Sequence, residues 1–158
     1  MDQADFLRLI QDNKGILFKI CHSYCRNASG REDLAQEIIV QLWRSFPSFD
    51  PQYRFSTWMY RISLNVAISF YRRERTRAQY LAPGEQVLNV PDETAIQTED
   101  VRLLYQFIDG LDPLHKALVL LYLDGHNYQE IAGVLGITET NVATKIGRLK
   151  QKMKQELA

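Results

Sequence analysis

The sequence predicts an all-α protein of two small helical domains joined by a flexible linker, and three observations carry that reading. Apolar residues recur at helical spacing along most of the chain, and no stretch alternates polar with apolar residues as a half-buried strand would. From 81 to 100 the periodicity stops, in text that includes Ala82-Pro83-Gly84-Glu85 and Val90-Pro91-Asp92-Glu93. Near the C-terminus a short apolar helix, a glycine and a longer amphipathic helix follow one another, the pattern of a helix-turn-helix. Domains are therefore expected at 1–80 and 101–158, with the linker at 81–100.

Taken in order, a first helix is expected over 3–27, with room for a break at Asn13 to Gly15. It places Phe6, Leu9, Ile10, Leu17, Ile20, Cys21 and Tyr24 near one face. Ser29-Gly30-Arg31-Glu32 reads as a capping box opening a second helix over 30–46. Pro47 and Pro51 stop that helix, since proline has no N–H to donate to the ladder. A third helix starts at Phe55 or Ser56 and runs to about 79. Beyond the linker, helices are expected over 100–110 and over 113–124, the second with Pro113 at the favoured first position and Gly125 ending it. Asn127 caps a short helix to Leu135, Gly136 supplies the turn, and Thr138 caps a last helix to about Lys154.

Charge and composition narrow the function. The 158 residues carry 19 basic and 19 acidic side chains, so net charge argues for no partner class, but its distribution does. Residues 54–77 hold six basic and one acidic side chain, and 138–158 hold five and two, flanking an acidic stretch at 81–110 with one and six. The acidic start Met1-Asp2-Gln3-Ala4-Asp5 is unlike a secretory signal. The longest apolar run, Ala117 to Leu123, falls far short of the roughly 20 residues of a membrane span, so a soluble cytoplasmic protein without membrane insertion is expected. Cys21 and Cys25 beside His22 could form a thiol switch or half a metal site; two small core residues on one helix face is the simpler reading, and no metal or cofactor is implied. No Gly-rich phosphate loop, Gly-x-Ser-x-Gly or paired-His motif occurs, and none of the three histidines has an obvious catalytic partner, so an enzyme with a small-molecule substrate is not expected.

Three constellations suggest binding instead. In 138–154, Val142, Ile146, Leu149 and Met153 step by four, three and four and should face Ile131, Ala132 and Leu135. Thr140, Asn141, Thr144, Lys145, Arg148 and Lys152 then fall on the outer face. Polar side chains early in such a helix can read base edges in the major groove, with later basic groups on phosphates; the competing reading is a solvated Lys-rich helix end. Between Trp43 and Tyr60 lie seven of the chain's seventeen aromatics, with Arg54 and Arg61 among them and Arg72, Arg73, Arg75 and Arg77 following. Aromatic faces beside arginines suit unstacked single-stranded bases, although any one of these aromatics could equally be core. Finally, 33–44 puts Leu34, Ile38 and Leu42 on a core stripe, and Asp33, Gln36 and Glu37 on another face with Ile39 and Trp43. That rim suits docking of a basic partner helix, or is a solvated face beside a buried Trp.

These segments, in this order, resemble the extracytoplasmic-function (ECF) class of bacterial sigma factors in the sigma-70 family, across nearly the whole chain. Glu32 to Glu37 with Leu42-Trp43 is similar to the family's polymerase-binding helix. Phe55-Ser56-Thr57-Trp58-Met59-Tyr60-Arg61-Ile62 with Asn65 and Arg72-Arg73 is similar to its −10 segment, and Tyr128 to Ala132 with Leu135-Gly136-Ile137 and Asn141-Val142 to its −35 helix-turn-helix. The resemblance implies that the two domains are sigma regions 2 and 4, and that the chain directs promoter opening and transcription initiation. It implies that Asp33, Gln36, Glu37, Ile39 and Trp43 engage the clamp coiled coil of the polymerase β′ subunit. Phe55, Ser56, Trp58, Arg61, Asn65, Arg72 and Arg73 would hold the −10 element, where a flipped base enters a pocket formed near Tyr53. Thr140, Asn141, Thr144, Lys145 and Arg148 would read the −35 element, and the helix carrying Leu118 to Leu123 would offer spare apolar surface to the β flap. An anti-sigma partner, linked to the membrane, is expected from the resemblance alone. Two departures stand out: Ser69 occupies a position where the family commonly has Asp, and Ala143 to Gly147 replaces a more basic, Ser-rich stretch. Rival readings are a sigma-like decoy in a partner-switching pathway, which would not need the arginines, and a helix-turn-helix repressor, which would not need the aromatic and arginine set.

Overall fold

The computed structural model describes residues 2–79 and 98–157, and the chain divides into two compact units, Met1–Ala95 and Ile96–Ala158. Every regular element among the described residues is helical.

In the first unit, α1 (Gln3–Asp12) opens on a capping box in which Asp2 and Asp5 each accept the other's backbone N–H at 3.0 Å. It ends at Asn13, whose side-chain amide donates to the Leu9 carbonyl at 2.8 Å. A second helix, α2 (Lys14–Tyr24), restarts at once, so the helix expected over 3–27 is broken at Asn13, where the sequence left room for a break, and it ends three residues earlier. α3 (Ala28–Ser45) is capped by Asn27, whose side chain accepts from the Gly30 amide at 2.6 Å. The expected capping box at Ser29 is thus corrected: Ser29 and Glu32 lie inside the helix. The physical reason is local: the backbone is extended at Asn27, with φ −123° and ψ 160°, and turns helical from Ala28, so the Asn27 side chain is the one that reaches the free amides of the first turn. A 3-10 turn at Phe46–Ser48 follows, and α4 (Phe55–Gln79) has the expected start and length.

Leu34, Ile38 and Leu42 on α3, Ile20 on α2 and Met59, Tyr60, Leu64 and Ala67 on α4 are all buried where these three helices pack together. Each fully buried aliphatic side chain contributes about 1.5–3 kcal/mol. Cys21 and Cys25 are buried too, which favours the core reading, although Cys25 lies just past the end of α2. Burial pushes the Cys21 thiol up to about 11 and the Cys25 thiol to about 12.

In the second unit, Thr98 caps α5 (Glu99–Asp109), so the last two positions of the expected linker are already helical; the rest of it lies almost entirely outside the described residues. Asp112 caps α6 (Pro113–Leu123), and Asn127 and Glu130 form a capping box on α7 (Tyr128–Leu135). Thr138 accepts the Asn141 amide at 3.0 Å and starts α8 (Glu139–Leu157). Gly125 and Gly136 end α6 and α7 with φ of 84° and 70°, conformations in which glycine has no Cβ to clash. Lys116 is buried, and its ammonium donates to the Ile108 and Asp109 carbonyls at 3.2 and 3.4 Å, closing the C-terminal turn of α5.

Candidate nucleic-acid and partner interfaces

In the helix-turn-helix, Val142, Ile146 and Leu149 are buried and Met153 is half-buried, which seats α8 against α6 and α7. Thr140, Asn141, Thr144 and Arg148 are left exposed, with Lys145 half-buried among them. The Thr144 hydroxyl donates to the Thr140 carbonyl at 3.0 Å, so its proton is turned onto its own helix and its oxygen remains as an acceptor. Lys150 lies 4.8 Å from the centre of the Tyr122 ring, and a hydrogen bond with that tyrosine raises its pKa. A groove of about 260 Å³ beside the helix is lined by Arg148 and Lys152 together with Asp112 and His115.

His115 was not singled out by sequence reasoning. Its Nδ1 lies 2.7 and 2.8 Å from the two Asp112 carboxylate oxygens, so this histidine does have an acidic partner. Burial works to raise the Asp112 carboxyl, but hydrogen bonds from the His115 amide and ring, with the imidazole charge, bring it below its usual value. The signal lay in the Asp-x-x-His spacing at a helix N-cap. The pair caps α6, as the contact between Asp112 and the His115 amide at 2.9 Å shows.

In the first unit the aromatics form a connected cluster rather than an open row. Phe6 stands 5.1 Å from both Trp43 and Phe46, and Phe49 stands 5.1 Å from Trp58 and 5.4 Å from Phe55. Phe55, expected as a base-stacking residue, is buried at 8% exposure, while Trp58 and Ser56 are half-buried. The helical period accounts for this: Phe55 and Met59 fall on the inward face, one turn apart. Arg61, Asn65, Arg72 and Arg73 are exposed, and Tyr53, in the loop before α4, is the most open of the exposed large apolar side chains among the described residues, at 70%.

On α3, Asp33 and Gln36 are exposed, Glu37 is half-buried, and Ile39 and Trp43 are exposed at 37% and 47%. Val40, which sequence reasoning passed over, is equally open at 47% and extends that apolar strip. An open groove of about 860 Å³ runs between α3 and α4, with Asp33, Gln36 and Glu37 on one wall and Asn65, Ser69 and Arg73 on the other. The two walls are joined where the Arg73 guanidinium donates to the Glu37 carboxylate at 2.6 Å. One expectation is corrected: Leu118 to Leu121 are buried, so Leu123 at 50% exposure is what the run leaves as open apolar surface. Among the described residues no cluster of His, Cys, Asp or Glu could hold a metal ion, and no helix is long and apolar enough to cross a membrane.

Residues 9–77 match the family described as Sigma-70 region 2, and residues 102–153 match Sigma-70 region 4. The chain belongs to the sigma-70 family. The region 2 match takes in both α3 and α4, and the region 4 match takes in the helix-turn-helix. Sequence relatives place it with ECF sigma factors. It is 27% identical to the ECF RNA polymerase sigma factor SigW of Bacillus subtilis (strain 168), over 99% of this chain and 90% of that one. It is 29% identical to the ECF RNA polymerase sigma factor SigE of Mycolicibacterium smegmatis, over 95% of this chain and 60% of that one. The fold is shared with RpoE of Bartonella quintana, solved in complex with the anti-sigma factor NepR, at a TM-score of 0.73 and 17% identity over 97% and 96% of the two chains. It is shared also with CnrH in complex with the cytosolic domain of CnrY, at a TM-score of 0.70 and 22% identity over 99% and 89%.

Proposed function

We propose that this sigma factor divides promoter recognition between its two units while both are held on core RNA polymerase. The α3 face carrying Asp33, Gln36, Glu37, Ile39 and Trp43 docks on the clamp coiled coil of β′, and the second unit meets the β flap, where Leu123 is the apolar contact available. Arg61, Asn65, Arg72 and Arg73 on α4, with Ser56 and Trp58, hold the melted −10 strand. Phe55 packs against Trp58 with ring centres 5.3 Å apart, and Tyr53 is an aromatic open to a flipped base. Thr140, Asn141, Thr144, Lys145 and Arg148 read the −35 duplex. Polymerase supplies the catalysis; this chain contributes binding and strand capture.

The observation that carries the reading is the orientation of α8. Its buried stripe locks onto α6 and α7 through a turn only glycine takes easily, and Asn141 and Arg148 are left outward where a major groove can meet them. Each unit alone presents few phosphate contacts, so tight promoter binding needs the shared polymerase scaffold. The protein works in the cytoplasm. The exposed strip of Val40 and Trp43 beside an acidic rim is also the surface offered to an anti-sigma partner, which would hold the factor away from polymerase, at the membrane where that partner is anchored there.

Run-off transcription with core polymerase on pooled genomic promoters, with and without the protein, tests the proposal. Transcript starts that depend on the protein and share two motifs at fixed spacing are expected. Core binding without new starts would favour the decoy, and stable homodimers that bind duplex without polymerase would favour the repressor.

A further inference from the structure

The Glu37–Arg73 contact joins a side chain of the polymerase-facing helix to a side chain of the DNA-facing helix. From Phe55 to Arg73 α4 contains no acidic residue, and Ser69, one turn before Arg73, is neutral. The carboxylate that meets Arg73 therefore comes from α3. The guanidinium is held twice: it donates to Glu37 at 2.6 Å, and its carbon lies 5.7 Å from the centre of the buried Phe70 ring. A guanidinium has five N–H donors in a rigid fork, and one bond to a carboxylate leaves others for a phosphate.

We infer that Glu37 is a positioning residue for Arg73, holding its guanidinium at the lip of the α3–α4 groove so that single-stranded DNA meets a preformed cation. This rests on the proposed placement of Arg73 at the −10 strand. Ordering the arginine before DNA arrives lowers the rotamer freedom lost on binding. It also supplies from a second helix the carboxylate that α4 lacks where Ser69 stands. Glu37 thus acts on DNA through Arg73, in addition to facing polymerase.

The test uses the full chain on core polymerase and a promoter carrying a fluorescent base in the −10 element. Opening is followed at saturating protein, with core affinity measured separately, so that a docking defect does not enter the opening rate. Because both side chains are substantially exposed, Glu37→Gln is expected to slow opening by about twofold to fivefold. Arg73→Ala should slow it further, and the double variant should match Arg73→Ala alone, because Glu37 has nothing left to position. An additive double variant, or a Glu37→Gln that opens at the normal or a faster rate, overturns the positioning role even if Arg73→Ala is impaired. If Arg73→Ala opens normally, the placement of Arg73 at the strand falls, and the role of Glu37 with it.

Discussion

Replacing Gly136 by Ala isolates the backbone cost of the turn that aims the recognition helix. At this residue φ is 70° and ψ 32°, in the left-handed region, and a Cβ built there would meet no atom within 4 Å. The cost is therefore conformational, with no steric contact to add. A left-handed L-residue is disfavoured by about 1–2 kcal/mol. Alanine also restricts the unfolded chain, which offsets about 0.4–1 kcal/mol of that. The net loss is about 1 kcal/mol, which lowers the midpoint of a domain this small by about 4–8 °C. Thermal unfolding of the full chain followed by circular dichroism, comparing wild type, Gly136→Ala and Gly136→Asn, measures it. Asn tolerates the left-handed region better and should lose less than Ala. An unchanged midpoint for Gly136→Ala would refute the strain argument. A drop beyond about 15 °C would mean that packing, not φ, dominates the turn.

Arg148→Ala should reduce −35-dependent transcription, with a loss of about 1–3 kcal/mol in DNA affinity, and leave core binding intact; lost core binding in a binding assay would contradict the division of labour. Trp43→Ala should weaken core polymerase binding by about tenfold or more and also cost about 1–2 kcal/mol of stability, because the buried half of its ring packs on Phe6; a competition binding assay on the folded variant and a melt together check this, and unchanged core binding would contradict the docking role. Both thiols have folded pKa values raised from 9.0 to about 11 and about 12, so the folded protein keeps protons that the unfolded chain releases above pH 9. Stability should be unaffected by these thiols below pH 9 and decline as pH rises toward 11–12, and Cys21→Ala/Cys25→Ala should flatten that limb in denaturant titrations. Alkylation at pH 8 should be slow in native buffer and fast in denaturant, and rapid native labelling would refute their burial.

Local chemistry along the chain is what made much of this protein legible. Helix starts at Asn127 and Thr138, the proline-opened α6 and the glycine stops at 125 and 136 depend on neighbours within four residues, which is why they could be read from the chain alone. The outward face of α8 was equally readable, because a buried stripe at 142, 146 and 149 leaves one face for Asn141 and Arg148.

What the sequence by itself determined is the set of helices, their amphipathic faces and the family-like order of motifs. Tertiary structure decided which of two chemically equal options each residue took. Cys21 and Cys25 could have been a thiol pair or core residues, and closure of the first unit buries both. Phe55 and Tyr53 are comparable stacking groups, but packing against Phe49 and Trp58 takes Phe55 into the core and leaves Tyr53 open. Glu37 and Arg73 are 36 residues apart, and only the packing of α3 on α4 brings them together. The physical reason is common to all three: helical period sets which way a side chain points, whereas burial and pairing depend on which distant surface closes over it.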